Sequence, residues 1–478
     1  MSDKLTRRSF LGLVSGAAAG TLLAACQPQV VERTVEVEVT REVEVEKEVE
    51  VEVEREVVVT APPEEIKGVE LWTGFGQGRM ADAMAGAIER FDADTGFITN
   101  HIVIPWGDIR TKVIAATAAG NPPDVYRGWA WIVGDDAPIG ALTDLSPFVE
   151  ARPDANLDDY FPAALEQMKF QGKFYAVSIS TQVQMMFYNK DRMREGGFDP
   201  DDIPTDLEGW EEIGEALYDV SPNGSINKIG YIPLVPDIYI MAYGAMFGAE
   251  FWDGDSRQCI ANDATNGPIM VDLFNWCKGY TDKYGAEEIQ AFMSSYSGNS
   301  YGRNTPDGVY YTGLLAIWLN RTWLYNDMLE YGPDVDFGVA KPPSPRGVTG
   351  KPADLDANMY LVPAGAQNAA GGFEFAWFMG SSPWVAINKA VPDSVTPSRL
   401  SNAQLPEVEE GQPWVAMARD EILPYALPVP SMPSVGYYQT KLKEALNSVL
   451  WDGMDAQEAL DYAVEDAQLE VDQKFEQG

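Results

Sequence analysis

The residues able to carry covalent chemistry are few, and their spacing argues against most of it. The chain of 478 residues has one histidine, His101, and three cysteines. His101 falls in a strand-like stretch with no nucleophile nearby, and no GxSxG segment occurs, so acyl transfer by a Ser-His-Asp set has no support. A lone histidine leaves zinc without a ligand set, and the GxxxxGK[ST] loop of nucleotide-phosphate enzymes is absent. Gly74-Phe75-Gly76-Gln77-Gly78 lacks the GxGxxG spacing of a dinucleotide site. Asp253-Gly254-Asp255 and the segment Ser221 to Asn227 do not complete a calcium loop and read as turns. No metal and no cofactor is expected. Carboxylates are abundant, with 73 Asp and Glu. Glycoside hydrolysis needs two of them about 5 to 9 Å apart, one with a raised pKa, and that chemistry stays open as the alternative to simple binding. The other conspicuous supply is aromatic: 13 tryptophans, of which Trp129 and Trp131 directly follow a strand.

These residues must be positioned by the elements around them. Val69-Glu70-Leu71-Trp72 reads as a first strand, Met80 to Phe91 as an amphipathic helix, and His101 to Pro105 as a second strand. Ile109 to Ala119 is a small-residue helix stopped by Gly120-Asn121-Pro122-Pro123, and Asp124-Val125-Tyr126 is a third strand. Strand and helix alternate, which predicts an α/β fold with a mainly parallel sheet, and in such sheets ligands sit in the loops at the carboxyl ends of the strands. Trp72, Trp210, Trp276 and Trp377 lie in periodic apolar segments and are read as core.

Net charge is −39. Removing residues 1–25 takes away three basic residues and one acidic, leaving −41. That field repels phosphate backbones, so nucleic acid is not an expected partner. The N-terminus carries Thr6-Arg7-Arg8-Ser9-Phe10-Leu11, an apolar small-residue run, and then Leu22-Leu23-Ala24-Ala25-Cys26. This resembles the twin-arginine signal of a bacterial lipoprotein, with residues 1–25 removed and lipid on Cys26. About 15 apolar residues fall short of the roughly 20 that span a bilayer. Residues 27–65 form a spacer, in which Val30 to Thr60 alternates valine with Glu, Arg or Lys. It is acidic and self-repelling, and extended it reaches roughly 100 Å. Cys259 and Cys277 remain, and outside the cytoplasm they could pair or stay as two buried thiols.

A family resemblance rests on the order of several segments. They are Ala85-x-x-x-Ile88-Glu89-Arg90-Phe91-x-x-x-Thr95-Gly96, Ala118-Ala119-Gly120-Asn121-Pro122-Pro123-Asp124-Val125, Leu142-Thr143-Asp144-Leu145-Ser146, Gln171-Gly172-Lys173-Phe174-Tyr175-Ala176-Val177, Phe187-Tyr188-Asn189-Lys190-Asp191, Pro204-Thr205-Asp206-Leu207-Glu208-Gly209-Trp210 and Gly313-Leu314-Leu315-Ala316-Ile317-Trp318. Their order across residues 66–470 resembles the extracellular solute-binding proteins of sugar ABC transporters, the family that includes the maltose-binding protein. The chain departs from the family pattern at Gly313 to Ile317, which lacks a usual lysine, and its C-terminal half is rich in Pro, Trp and Tyr.

The resemblance implies the two-lobed periplasmic-binding-protein-like fold of type II, with the ligand in a cleft and a hinge of crossing strands. Lobe I would comprise residues 66–182 plus 358–390 and lobe II residues 183–357 plus 391–478, with crossings near Ser180 to Phe187, Ala357 and Val391. It implies a membrane-tethered monomer with no enzymatic activity, on the outer face of the cytoplasmic membrane or in the periplasm, that binds a neutral small molecule, a mono- or oligosaccharide, and passes it to ABC permease subunits. Sugars have apolar faces and hydroxyl rims, so their sites combine aromatic platforms with amides, carboxylates or Arg. On that basis the expected ligand residues are Phe75, Gln77, Trp129, Trp131, Gln182, Asp237, Tyr239, Trp323, Asn358, Arg399, Tyr437 and Tyr438.

Overall fold

Val69, Leu71 and Thr73 are buried while Glu70 and Trp72 are half-buried, and this alternation makes the first strand, β1 (Gly68–Thr73). The computed structural model describes residues 68–234, 239–296, 307–345, 348 and 354–477. Cys26, the spacer and Asp237 lie outside the described residues. After β1 come α1 (Gly78–Thr95), β2 (Ile98–Val103), α2 (Ile109–Ala118), β3 (Val125–Trp129) and α3 (Ala130–Asp136). β1 pairs in parallel with both other strands, Gly68 opposite Ile98 and Leu71 opposite Val125. This is the alternating parallel unit expected from the sequence, with two shifts: the second strand starts at Ile98, and the third runs on to Trp129.

α1 buries Met84, Ala87 and Phe91, three positions on one helical stripe, and ends at Gly96, whose φ of 76° lets its N–H reach the Asp92 carbonyl. Asp124 ties β1 to the N-cap of the helix Ala369–Ser381, accepting from the Glu70 N–H at 2.9 Å and the Asn368 N–H at 2.7 Å. His101 has a structural role: its Nε2 stands 2.7 Å from the Thr73 hydroxyl, tying β2 to β1, and burial lowers its pKa.

The centre of the sheet is β4 (Ala176–Asn189), a 14-residue strand. Its later half pairs antiparallel with β5 (Ile317–Arg321) and β6 (Phe337–Ala340), and its earlier half with β7 (Asp354–Leu361). The main strand order is β5-β4-β7-β3-β1-β2. The segments expected to cross between lobes at Ser180 to Phe187 and at Ala357 are therefore strand, whereas Val391 lies in a helical stretch and is not a crossing strand. One apolar cluster packs β1 and β7 against α1 and the helix Ala369–Ser381 through Leu71, Phe91, Tyr360, Phe375 and Trp377. A larger one extends from Ile109 and Tyr126 through Met185, Trp210 and Phe274 to Leu442 and Leu460. Trp210 and Trp377 are core as expected, while Trp72 and Trp276 are half-buried against it.

Cys259 and Cys277 are two separate buried thiols, not a disulfide. Cys259 belongs to a short strand whose N–H is held by Gln468 of the last helix, and Cys277 is fully buried in the helix Asn266–Tyr284. Burial pushes the Cys259 thiol up to about 12 and Cys277 higher still. Among the described residues no helix is long and apolar enough to cross a membrane.

Candidate functional site

β3 ends at Trp129 and α3 starts at once, so Trp129 and Trp131 project from a strand end, where an α/β sheet gathers its ligands. Both line a cleft of about 500 Å³. Trp106, just past the end of β2, lines it as well. The three indoles form a row: Trp106 and Trp129 have ring centroids 5.8 Å apart, and Trp129 and Trp131 stack at 6.2 Å with planes 9° apart. Trp106 can lie there because residue 74 is glycine. A Cβ at Gly74 would fall 2.2 Å from the indole. The glycine-rich turn thus serves close packing and not a phosphate.

Cations brace the row. Arg110 on α2 lies 5.3 Å from the Trp131 ring centroid and bonds to Asp136 at 2.6 Å and Asp135 at 3.4 Å. The buried Arg127 lies 5.9 Å from Trp106 and 6.0 Å from Trp129. The same cleft is lined by Tyr239, Arg321, Asp354 and Asp356, with Gln439, Thr440 and Lys443 from the helix Val435–Asn447. Arg321 sits at the hub. Its guanidinium is 2.8 Å from Asp354, 4.0 Å from Asp356 and 4.9 Å from the Tyr239 ring centroid. Burial alone would lower its pKa, but the two aspartates outweigh that and raise it. Burial pushes the Asp356 carboxyl up to about 6, partly offset by Arg321. Asp354 and Asp356 each keep a buried Oδ1 with no protein hydrogen-bond partner.

The helix Val435–Asn447 reaches the cleft by docking on α3. Gly134 approaches the Met432 carbonyl so closely that a Cβ would sit 2.2 Å from that oxygen. The Gly436 N–H donates to Asp135 at 3.3 Å, and burial holds that carboxyl at about 6.

Of the twelve expected ligand residues, the cleft gathers Trp129, Trp131 and Tyr239. Phe75 is buried behind Trp106, edge-to-face at 4.8 Å. Gln77 is exposed at the start of α1. Gln182 contributes its backbone carbonyl to Arg321 at 3.2 Å. Trp323 packs on Trp318 at 6.2 Å, and Asn358 is buried behind the wall, bonded to Ser180 at 2.9 Å. Arg399 is elsewhere: it bonds the Ala155 carbonyl at 2.8 Å and lies 4.5 Å from the Tyr160 ring centroid. Tyr437 faces outward to Asp466, and Tyr438 is core, accepting from the Ala261 N–H at 3.2 Å.

The model of the bacterial extracellular solute-binding protein family matches residues 86–418. The chain belongs to this family. Two relatives are the maltotriose-binding protein of Pyrococcus abyssi, 23% identical over 356 residues, 72% of this chain and 69% of that protein, and the galactooligosaccharide-binding protein of Bacillus subtilis, 22% identical over 365 residues, 74% and 79%. Among solved structures, CpMnBP1 with mannotriose bound superposes with a TM-score of 0.73 at 23% identity, over 84% of this chain and 99% of that one. Maltose-bound MalE3 of T. maritima gives 0.67 at 17% identity, over 84% and 99%. The fold of this solute-binding protein is therefore the two-lobed α/β one that the order of segments implied.

Trp106, Arg110, Arg321, Asp354, Asp356, Gln439, Thr440 and Lys443 were not anticipated. Trp106 had a signal, since it comes shortly after a strand just as Trp131 does. The charged floor had none, because Arg321 and the two aspartates meet only through strand pairing across the sheet. A second cavity, about 460 Å³, lies between the helices Leu207–Ala216 and Asn266–Tyr284. Its Glu211 already accepts from Trp276 at 2.8 Å and Tyr280 at 2.6 Å, and its Glu215 pairs with Lys283 at 2.7 Å.

Proposed function

We propose that this solute-binding protein captures a neutral carbohydrate, a mono- or oligosaccharide, in the cleft beside Trp129 and delivers it to an ABC permease. The row of three indoles sharing one cleft with Arg321, Asp354 and Asp356 carries the reading. Apolar sugar faces stack on indoles, while hydroxyls donate to carboxylates and accept from guanidinium and amide N–H groups. Arg110 and Arg321 are each paired with carboxylates, which favours a ligand without net charge. Capture is reversible closure of lobe I (66–182, 358–390) on lobe II (183–357, 391–478), with no bond made or broken. The family relatives named above for oligosaccharides support the same ligand class.

The alternative, a glycoside hydrolase, draws on Asp356, whose raised pKa suits a general acid. Against it, Asp354 and Asp356 are two apart on one strand and share Arg321, so both act from one wall instead of flanking a glycosidic bond. Thermal-shift measurements over mono- and oligosaccharides, followed by tryptophan fluorescence titration, test the reading. A saturable response with the sugar recovered intact supports it, and release of shorter sugars would replace binding with hydrolysis. We further propose export by the twin-arginine route, lipid on Cys26, and a monomer tethered to the outer face of the membrane through the Val/Glu spacer. The lipobox would deliver more than one acyl chain, because one alone binds membranes weakly.

A further inference from the structure

One buried ion pair stands behind the aromatic wall without lining the cleft. Lys389, in the helical turn Ala386–Ala390, is 3% exposed and donates to Asp393, four residues on. Its Nζ lies 3.7 Å from the centroid of the Phe75 ring. Phe75 meets Trp106 with ring centroids 4.8 Å apart and planes at 86°. Trp106 is the first indole of the row.

We propose that Lys389 is a positioning residue for the cleft: its ammonium fixes the plane of the Phe75 ring, and Phe75 in turn seats Trp106 for the ligand. A cation is attracted to the face of an aromatic ring and repelled by its edge, so Lys389 selects one ring plane. The terminal torsion of Phe is otherwise broad, and an apolar side chain at 389 would fill the space without selecting an orientation. The perpendicular contact with Trp106 suits the ring quadrupoles only while that plane is kept. The missing Cβ of Gly74 leaves the slot in which the indole lies, since a Cβ there would fall 2.2 Å from it. Asp393 makes the arrangement tenable, since a buried ammonium without a partner is strongly unfavourable. Arg127, near Trp106 and Trp129, adds a second buried cation beside the row but does not touch Phe75 within the contacts seen.

The consequence for binding rests on the carbohydrate reading, whereas the positioning itself does not. The test therefore begins with the sugar-free protein labelled with 5-fluorotryptophan, the Trp106 fluorine line being identified by its loss in Trp106→Phe. In Lys389→Met the Trp106 line should shift and broaden while that of core Trp210 stays in place. Phe75→Leu should give the same change, and adding Lys389→Met to it should do nothing further. An unmoved Trp106 line in folded Lys389→Met would overturn the proposal, as would an equal extra change in the Phe75→Leu background. Should Lys389→Met not fold, Asp393→Asn takes its place, expected to move the Trp106 line, and a line that stays put in it is equally fatal. Calorimetric titration of the wild type with maltotriose and mannotriose forms the second arm. An absence of heat with both would count against the carbohydrate reading and leave the Trp106 result standing, while binding that weakens in Lys389→Met joins the two.

Discussion

Trp129 lines the cleft, and Trp131 is braced beside it by Arg110 and by the backbone at Gly436. Replacing either by Ala should weaken carbohydrate binding by about 1–3 kcal/mol, the value of one buried aromatic side chain. Titration calorimetry measures this, and unchanged affinity in both folded variants would remove them from the site. Arg321→Ala acts differently, because it leaves the buried Asp354 and the half-buried Asp356 without their counter-charge. We expect a stability loss of about 3–5 kcal/mol by denaturant unfolding. Adding Asp354→Asn and Asp356→Asn should recover part of it. Asp356 also has a pH signature. Its folded pKa of about 6 exceeds the ordinary carboxyl value, so the folded state favours the protonated form. That contribution is complete below the unfolded pKa of about 4 and is lost as pH rises through about 6. The Tm of the wild type, measured relative to Asp356→Asn, should therefore fall between pH 4 and 7; a flat difference would contradict the raised pKa.

Elements decide which neighbours of these residues reach the cleft. Residues 436, 439, 440 and 443 share one stripe of the helix Val435–Asn447, which is why Gln439 and Lys443 line the cleft while Tyr437 faces solvent and Tyr438 enters the core. The tyrosines carried the sequence signal and the helical phase carried the site. Asn358 shares a face of β7 with Asp356, but it stands opposite Ser180 and Trp129 and its amide is spent on the Ser180 hydroxyl. Trp323 misses because β5 ends at Arg321 and Trp323 caps the following helix. The α/β alternation and the first three strands were legible, since each rests on local periodicity. Arg399 was not placed correctly, because its partners near Ala155 and Asp159 lie more than two hundred residues away in sequence. Close approaches between elements give a further prediction. Gly134→Ala puts a methyl group into the Met432 carbonyl and should cost about 1–3 kcal/mol by forcing α3 from the helix that supplies Gln439. Thermal unfolding detects the loss, and a Tm equal to wild type would show that the junction yields freely.

At the scale of the whole chain, charge bears on which partners are favoured. A net charge of −39 favours capture of uncharged solutes over anions, and the proposed tether would raise the receptor's effective concentration at a permease. Cys26→Ser should move the protein from the membrane fraction to the soluble fraction; retention at the membrane would refute lipid anchoring. Within residues 64–478, which form one compact unit, β4 pairs forward with β5 and β6 and backward with β7. This sharing bears on how such receptors can diversify. A crossover between two related genes within residues 176–189 would splice half a strand from each parent, so the two halves of that strand must stay compatible in register. New ligand preferences are instead open to accumulate at the rims, at positions such as 106, 131 and 439, while the seam between the halves is inherited whole.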